Sequence, residues 1–296
     1  MKNLKQAQKA GRFLLVLAFW LLIWYLLYRR IDSDLLLSSP LTVGKRFLEL
    51  VQTGEFWLTI LRSFGRIMAG FLLALFAGIL LGTLTAHVPI LDQLIRLPMN
   101  MIKSTPVASF VILALMWLSG RNLSIFICFL VVLPMIWSSV DQGFRSVDPK
   151  LLEVGKVFHL SLTKRIRAIY IPALMPYLLS TLRVAIGFVW KSGVAGEVIA
   201  APQGTIGRHL YDAKVYLETA DLFTWTLVVI ILSVLIEKLV IRLIDKAAER
   251  TARTGRSGGE QGSEKNSGQE AGASDSFGVV NDNKSVKDSS GRGQRV

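Results

Sequence analysis

The sequence predicts an all-α integral membrane fold with six transmembrane helices, and three observations carry that prediction. Residues of the AVILMFWYC set make up 52% of the chain, and mean hydropathy is +0.47, too apolar for an ordinary soluble domain. The apolar residues gather into long runs, as membrane-spanning segments require. The formal net charge is +13, and its lysines and arginines flank those runs, where they set orientation.

Taken in order, residues 1–12 are a basic cytoplasmic N-terminus, with Lys2, Lys5, Lys9 and Arg12 and no acid. Phe13 to Tyr28 is the first apolar run, followed at once by Arg29 and Arg30 without a small-residue cleavage site. An uncleaved anchor is therefore expected in preference to a signal peptide. The rest of the 13–66 segment is mixed. Ser39-Pro40 marks a helix start, Phe47, Leu48, Leu50 and Val51 an amphipathic helix, and Gly54 its interruption. Six basic residues against four acids between Arg29 and Arg66 suit an external location poorly, and the segment is expected outside on the family resemblance given below. Ile67 to Ala86 is the second span, with Gly70, Gly78 and Gly82 forming a small-residue face for close helix packing.

Residues 87–104, with Arg96 and Lys103, are expected as a cytoplasmic loop. Pro106 to Leu118 is a shorter third span, Ser119 to Asn122 a tight external turn, and Leu123 to Val140 the fourth span. Then comes the longest polar interruption, Asp148 to Pro172, which carries Lys150, Lys156, Lys164, Arg165 and Arg167, with Arg145 just upstream. Asp148 followed by Pro149 reads as an N-cap and an N1 proline. The short helix they start should stop near His159, with Ser161 capping a second one. Ile171 to Trp190 is the fifth span, residues 191–221 return outside, and Leu222 to Ile244 is the sixth. Six spans leave both termini in the cytoplasm, in agreement with Lys238, Arg242, Lys246, Arg250 and Arg253 at the end of the last one. From Gly255 to Val296 the composition turns to Gly, Ser, Asn and balanced charge, which predicts a disordered hydrophilic tail. The net positive charge thus belongs to residues 1–254, and its expected partner is anionic lipid at the inner face. Nucleic acid is not an expected partner, since no basic reader helix with interleaved aromatics occurs.

The polar interruption resembles the EAA loop of bacterial ABC-importer permeases, whose pattern is E-A-A, three residues, G, nine residues, I, one residue, L-P. Here it falls on Glu153-Val154-Gly155, His159, Ile169, Ile171 and Pro172 with every spacing kept. Val154, Gly155, His159 and Ile171 depart from the pattern's residue types. The glycine of the pattern allows the left-handed turn that ends the coupling helix, and histidine tolerates that conformation at some cost. The flanks, Arg145-Ser-Val-Asp148-Pro149 before and Pro176-Tyr177 with Leu182-Arg183 after, resemble the branch serving nitrate, taurine and alkanesulfonates. The resemblance covers about residues 13–250. It implies a type I importer permease fold, with a transmembrane core over 67–250 and a cytoplasmic coupling loop over 141–170. It also implies two copies of the chain, two ATPase subunits and an external substrate-binding protein. The substrate it implies is a small anion, with a thiamine-precursor pyrimidine as the alternative.

No G-x-x-x-x-G-K-[ST] or H-E-x-x-H occurs, so the chain has no P-loop and no zincin signature. Gly255-Arg256-Ser257-Gly258-Gly259, which fits G-x-S-x-G by letter, lies in the polar Gly/Ser-rich tail, away from the strand-to-helix turn that a nucleophile needs. The expectation is a non-enzyme with no catalytic residues, no metal and no cofactor of its own, ATP being bound by a partner. Cys128 is the lone cysteine, which excludes an internal disulfide, and His87, His159 and His209 show no metal-site spacing. The ATPase-coupling candidates are Glu153, Val154, Gly155, Lys156, Val157, Phe158, His159, Lys164 and Arg165, with Val157 and Phe158 filling an apolar hollow on the partner. Arg183, Trp190, Lys191, Ser192 and Glu197 are the substrate-path candidates, because polar groups in or beside a span usually face a bundle interior or a water-filled path. Gly187, Gly193 and Gly196 are expected to permit close packing. The further alternative, a self-contained secondary transporter, would need inverted repeats and buried ion ligands, and the sequence shows no such repeat and few buried acids.

Overall fold

The computed structural model describes residues 2–271, and the last 25 residues, with most of the expected tail, lie outside the described part. Residues Met1–Ile244 form one compact unit and the chain from Asp245 another. Every regular element described is helical. In chain order these are α1 (Lys2–Ile31), α2 (Pro40–Val51), α3 (Gly54–His87), α4 (Pro89–Ser104), α5 (Val107–Ala114) and α6 (Gly120–Arg145). They continue with α7 (Pro149–Val157), α8 (Leu162–Arg165) running into a π-turn over Ile166–Tyr170, α9 (Ile171–Ala200), α10 (Ile206–Val215) and α11 (Thr219–Ala271).

Among the described residues four stretches are long and apolar enough to cross a membrane: Leu14–Ile31, Gly54–His87, Gly120–Arg145 and Leu162–Ala200. A fifth arises if α4 and α5, which meet at 103°, make one broken span. The expected sixth run, 222–244, is helical within α11.

Three expectations need correction. Residues 87–104 are not a loop but α4, started by a proline at its N-terminus. The third span is not one straight helix. Thr105 caps α4 through Met101, Pro106 starts α5, and a residue before proline is steered out of the helical region. The fifth helix runs ten residues past Trp190, to Ala200, because the glycines at 193 and 196 sit where α9 packs against its neighbours. Helix is also described through residues 255–271, inside the segment expected to be disordered. Adding residues to a helix already nucleated is far easier than starting one.

The core is a three-helix stack with α6 between α3 and α9. On α3, Gly70, Ala74, Gly78 and Gly82 recur every fourth residue and are all buried. A Cβ on Gly78 would stand 2.7 Å from the Ile136 Cβ, and one on Gly82 2.7 Å from the Val140 Cβ. The backbones of α3 and α6 therefore approach more closely than larger residues allow. Trp137 Nε1 donates to Thr85 Oγ1 at 3.1 Å and Trp190 Nε1 to the Val229 carbonyl at 3.2 Å, tying α6 to α3 and α9 to α11.

A second layer holds the far end. Phe47, Phe56, Trp225 and His209 form a chain of ring contacts joining α2, α3, α11 and α10, with His209 stacked on Trp225 at 4.5 Å. Burial pushes the His209 imidazole below its ordinary value of 6.5, against the pull of Glu55, Asp212 and Asp221, while Arg208 adds to the lowering. Between the folded and the ordinary value, the unfolded chain binds more protons at this site than the folded one. The stability this site contributes is complete above about pH 6.5 and is lost as pH falls below it. Thermal unfolding followed from about pH 7.5 to 5 should show a loss of stability that His209→Phe, which keeps the stack, reduces.

Candidate functional site

The polar interruption folds as a projecting helix–turn–helix. Asp148 caps α7 by accepting from the Lys150 N–H at 2.9 Å, with Pro149 in the first turn. At the other end His159 takes φ +48°, the left-handed conformation that a glycine adopts most easily. The Leu160 N–H then reaches the Gly155 carbonyl and the His159 N–H the Lys156 carbonyl, both at 3.0 Å. Those two bonds are the Schellman closure, so histidine performs the turn that the pattern assigns to glycine. Ser161 begins α8 without a side-chain cap bond, and the π-turn follows. Single π-turns inserted in helices are uncommon and often accompany functional sites.

Burial divides the coupling candidates. Gly155 is buried, and a Cβ there would meet Ile169 Cδ1 at 3.3 Å and Arg165 Cγ at 3.7 Å, which explains a small residue at this position. Arg165 is half-buried with Nε lacking a partner among the described residues. Glu153, Lys156, His159 and Lys164 are exposed. Val154, Val157, Phe158 and Leu162 are exposed too, Val157 at 74% and Phe158 at 72%. A short helix thus presents an apolar edge bordered by charge, a surface that its own unit leaves open.

Two clusters that sequence reasoning missed brace the base of this projection. In the first, Arg96 binds Asp92 at 2.7 Å and Arg145 binds both Asp141 and Asp92 at 3.0 Å. Arg96 also stands 3.7 Å from Asp141. The four alternate in sign and join α4 to the last turn of α6, one step before α7. In the second, His87, Phe144 and Tyr170 are in mutual ring contact and connect α3, α6 and the π-turn. Beside it lies a cavity of about 480 Å³ lined by Thr83, His87, Phe144, Leu162, Tyr170 and others. The sequence signal for the first cluster was the paired i,i+4 spacing of Asp92 with Arg96 and Asp141 with Arg145. Asp141→Asn should cost about 1–2 kcal/mol, the value of charge-assisted bonds discounted because both guanidinium groups are about half exposed. Denaturation of the purified chain would measure this loss, and Asp141→Glu should recover part of it.

The substrate-path candidates do not share one surface. Arg183 and Lys191 are exposed on α9, and Ser192 is half-buried. Trp190 is interior, bonded to Val229. Glu197 is 0% exposed. Its Oε2 accepts from Ser63 Oγ at 2.7 Å and from the Gly207 N–H at 3.4 Å, while Ser63 Oγ accepts from the Ile206 N–H at 2.9 Å. Glu197 and Ser63 together clamp the start of α10 onto α9 and α3. That tie was not legible in sequence, because 134 residues separate its two side chains.

Comparison with known proteins gives the family. A relative from Bacillus subtilis, a putative aliphatic sulfonates transport permease protein SsuC, is 25% identical over 214 residues, covering 72% of this chain and 76% of its own length. The Synechocystis bicarbonate transport system permease protein CmpB is 31% identical over 54% of this chain and 57% of its own. The Synechococcus elongatus nitrate import permease protein NrtB is 31% identical over 53% and 56% respectively. The chain thus spans little more than half the length of these last two. Residues 74–254, which hold α6, the projecting α7–α8 turn and α9, match the family described as the binding-protein-dependent transport system inner membrane component. With its apolar helices, its capped projecting helix and that match, the chain belongs to this family of ABC transporter permeases.

Proposed function

We propose that the chain is the transmembrane subunit of an ATP-driven importer that carries a small anion from an external binding protein across the cell membrane. The observation that carries this reading is α7, a helix closed by a full Schellman turn whose Val154, Val157 and Phe158 are left open at one end of the bundle. Such an edge suits the cleft of a separate ATP-hydrolysing subunit, with Glu153, Lys156, Lys164 and Arg165 meeting its surface. Sulfonate, bicarbonate and nitrate in the relatives' names are all small oxyanions, which supports an anionic cargo. A second copy of the chain completes the path, along the exposed side of α9 that carries Arg183, Phe188 and Lys191. Both termini face the cytoplasm. Single-cysteine labelling at Ser119 and Ser161, in a background lacking Cys128, should then report opposite sides.

The test is co-expression with candidate ATPase subunits, followed by uptake of labelled nitrate, methanesulfonate and bicarbonate into proteoliposomes supplied with the candidate binding protein. Co-purification of an ATPase and ATP-dependent uptake of one of these anions is the expected result. Uptake driven by an ion gradient without any ATPase would overturn it, and uptake of a neutral pyrimidine alone would overturn the anionic class.

A further inference from the structure

The break between α4 and α5 opens a cavity of about 210 Å³, whose wall includes Lys103, Thr105, Val107, Pro134, Met135 and Phe188. Lys103 is the one ionisable side chain in that wall. The break is what brings it there, because α4 ends at Ser104 and the chain turns by 103° into α5.

The charge balance at this point is incomplete. Lys103 forms no ion pair with any carboxylate among the described residues, and its Nζ stands 5.7 Å from the centre of the Trp137 ring. The Arg96 guanidinium lies 5.8 Å from the same ring, but Arg96 already has Asp92 and Asp141 as counter-charges. Lys103 is exposed, so its ammonium stands reachable at the mouth of the cavity, and the positive potential it shares with the neighbouring Arg96 favours a negative group there. The volume limits the occupant to a few heavy atoms, below the range of drug-sized pockets, roughly 300–1,000 Å³. Phe188 lines the cavity and is exposed on α9, so the space adjoins the helix side assigned above to the path.

We propose that this cavity binds the oxyanion head of the transported solute, a sulfonate, nitrate or bicarbonate group, with Lys103 as its counter-charge and Phe188 and Val107 against any short alkyl part. This assignment rests on the anion-import reading and adds the residue that selects for charge. Thr105 does not compete for the ligand through its hydroxyl hydrogen, which is donated to the Met101 carbonyl at 2.7 Å.

The experiment measures equilibrium binding of radiolabelled methanesulfonate to the full chain in neutral phosphatidylcholine nanodiscs. Lys103→Gln should weaken binding about tenfold or more, the value of one charge-assisted contact. Lys103→Arg should retain most of it, and removal of an exposed cation elsewhere, Lys45→Gln, should leave it unchanged. Val107→Trp, which fills the cavity and keeps the charge, should abolish binding and decides the matter if Lys103→Gln fails to fold. Equal binding by wild type, Lys103→Gln and Val107→Trp overturns the site. Loss of methanesulfonate binding when phosphatidylglycerol is added would mean that Lys103 serves a lipid headgroup, which also overturns it. Uptake by the assembled transporter separates the two readings. Anion uptake unaffected by Lys103→Gln removes this site and keeps the importer, whereas wild-type uptake of no anion removes the importer's cargo class.

Discussion

Phe158→Ala and Glu153→Lys are each expected to abolish ATP-driven uptake while leaving normal amounts of the chain in the membrane. Phe158 is the largest apolar group on the α7 edge and is 72% exposed within its own unit, so its truncation costs the isolated fold little. At an interface with a partner the same truncation is different in kind, since removing a buried aromatic anchor commonly costs about 2 kcal/mol or more, about a thirtyfold loss of assembly. Glu153 is exposed on the same helix, and lysine there reverses the charge offered to the partner. Lys150→Ala should do much less. Its backbone N–H takes the Asp148 cap, and its side chain is not needed for that bond. Uptake, co-purification of the ATPase subunit and immunoblots of membrane levels are the measurements. Normal uptake in both variants would reduce α7 to a loop that only sets topology.

Gly70→Ala should destabilise the bundle, whereas Gly187→Ala should not. A Cβ at residue 70 would overlap the Ile125 carbonyl oxygen and stand 2.6 Å from the Cys128 Cβ. The first of these is backbone and cannot rotate away, so α3 and α6 must move apart. Overpacking of this kind typically costs about 1–3 kcal/mol, and it would also separate the ridge at Ala74, Gly78 and Gly82. A Cβ at residue 187 meets nothing within 4 Å. The expectation that Gly187 permits close packing is therefore corrected, while Gly193 does pack, with Ile67 and Cys128 against it. Thermal unfolding of the two purified variants would test the contrast, and equal stability would refute the close-approach account of the α3–α6 contact.

The structural class and the projecting turn were legible in the sequence because they depend on short-range chemistry. Apolar run length marked the helices. Asp148 and Pro149 marked the start of α7, and the spacing from Glu153 to His159 marked its left-handed end, now seen at φ +48°. The absence of a P-loop pattern is likewise a property of the linear chain. What the tertiary structure decided are the matters that depend on which helix faces meet. In a membrane helix apolar residues occur on every side, so hydrophobic periodicity does not mark the buried face. The i,i+4 spacing could at most have shown two separate Asp–Arg pairs, and only the packing of α4 on α6 joined Asp92, Arg96, Asp141 and Arg145 into one brace. Glu197 read as a group facing either a bundle interior or a water-filled path, and the fold places it against Ser63 and Gly207 as an internal clamp. Lys103 read as part of a loop, and it is the 103° break after α4 that sets it in the wall of a cavity. Local capping and spacing fixed where α7 begins and ends, but the partners of a charge are chosen by contacts between distant parts of the chain, and these exist only in the folded protein.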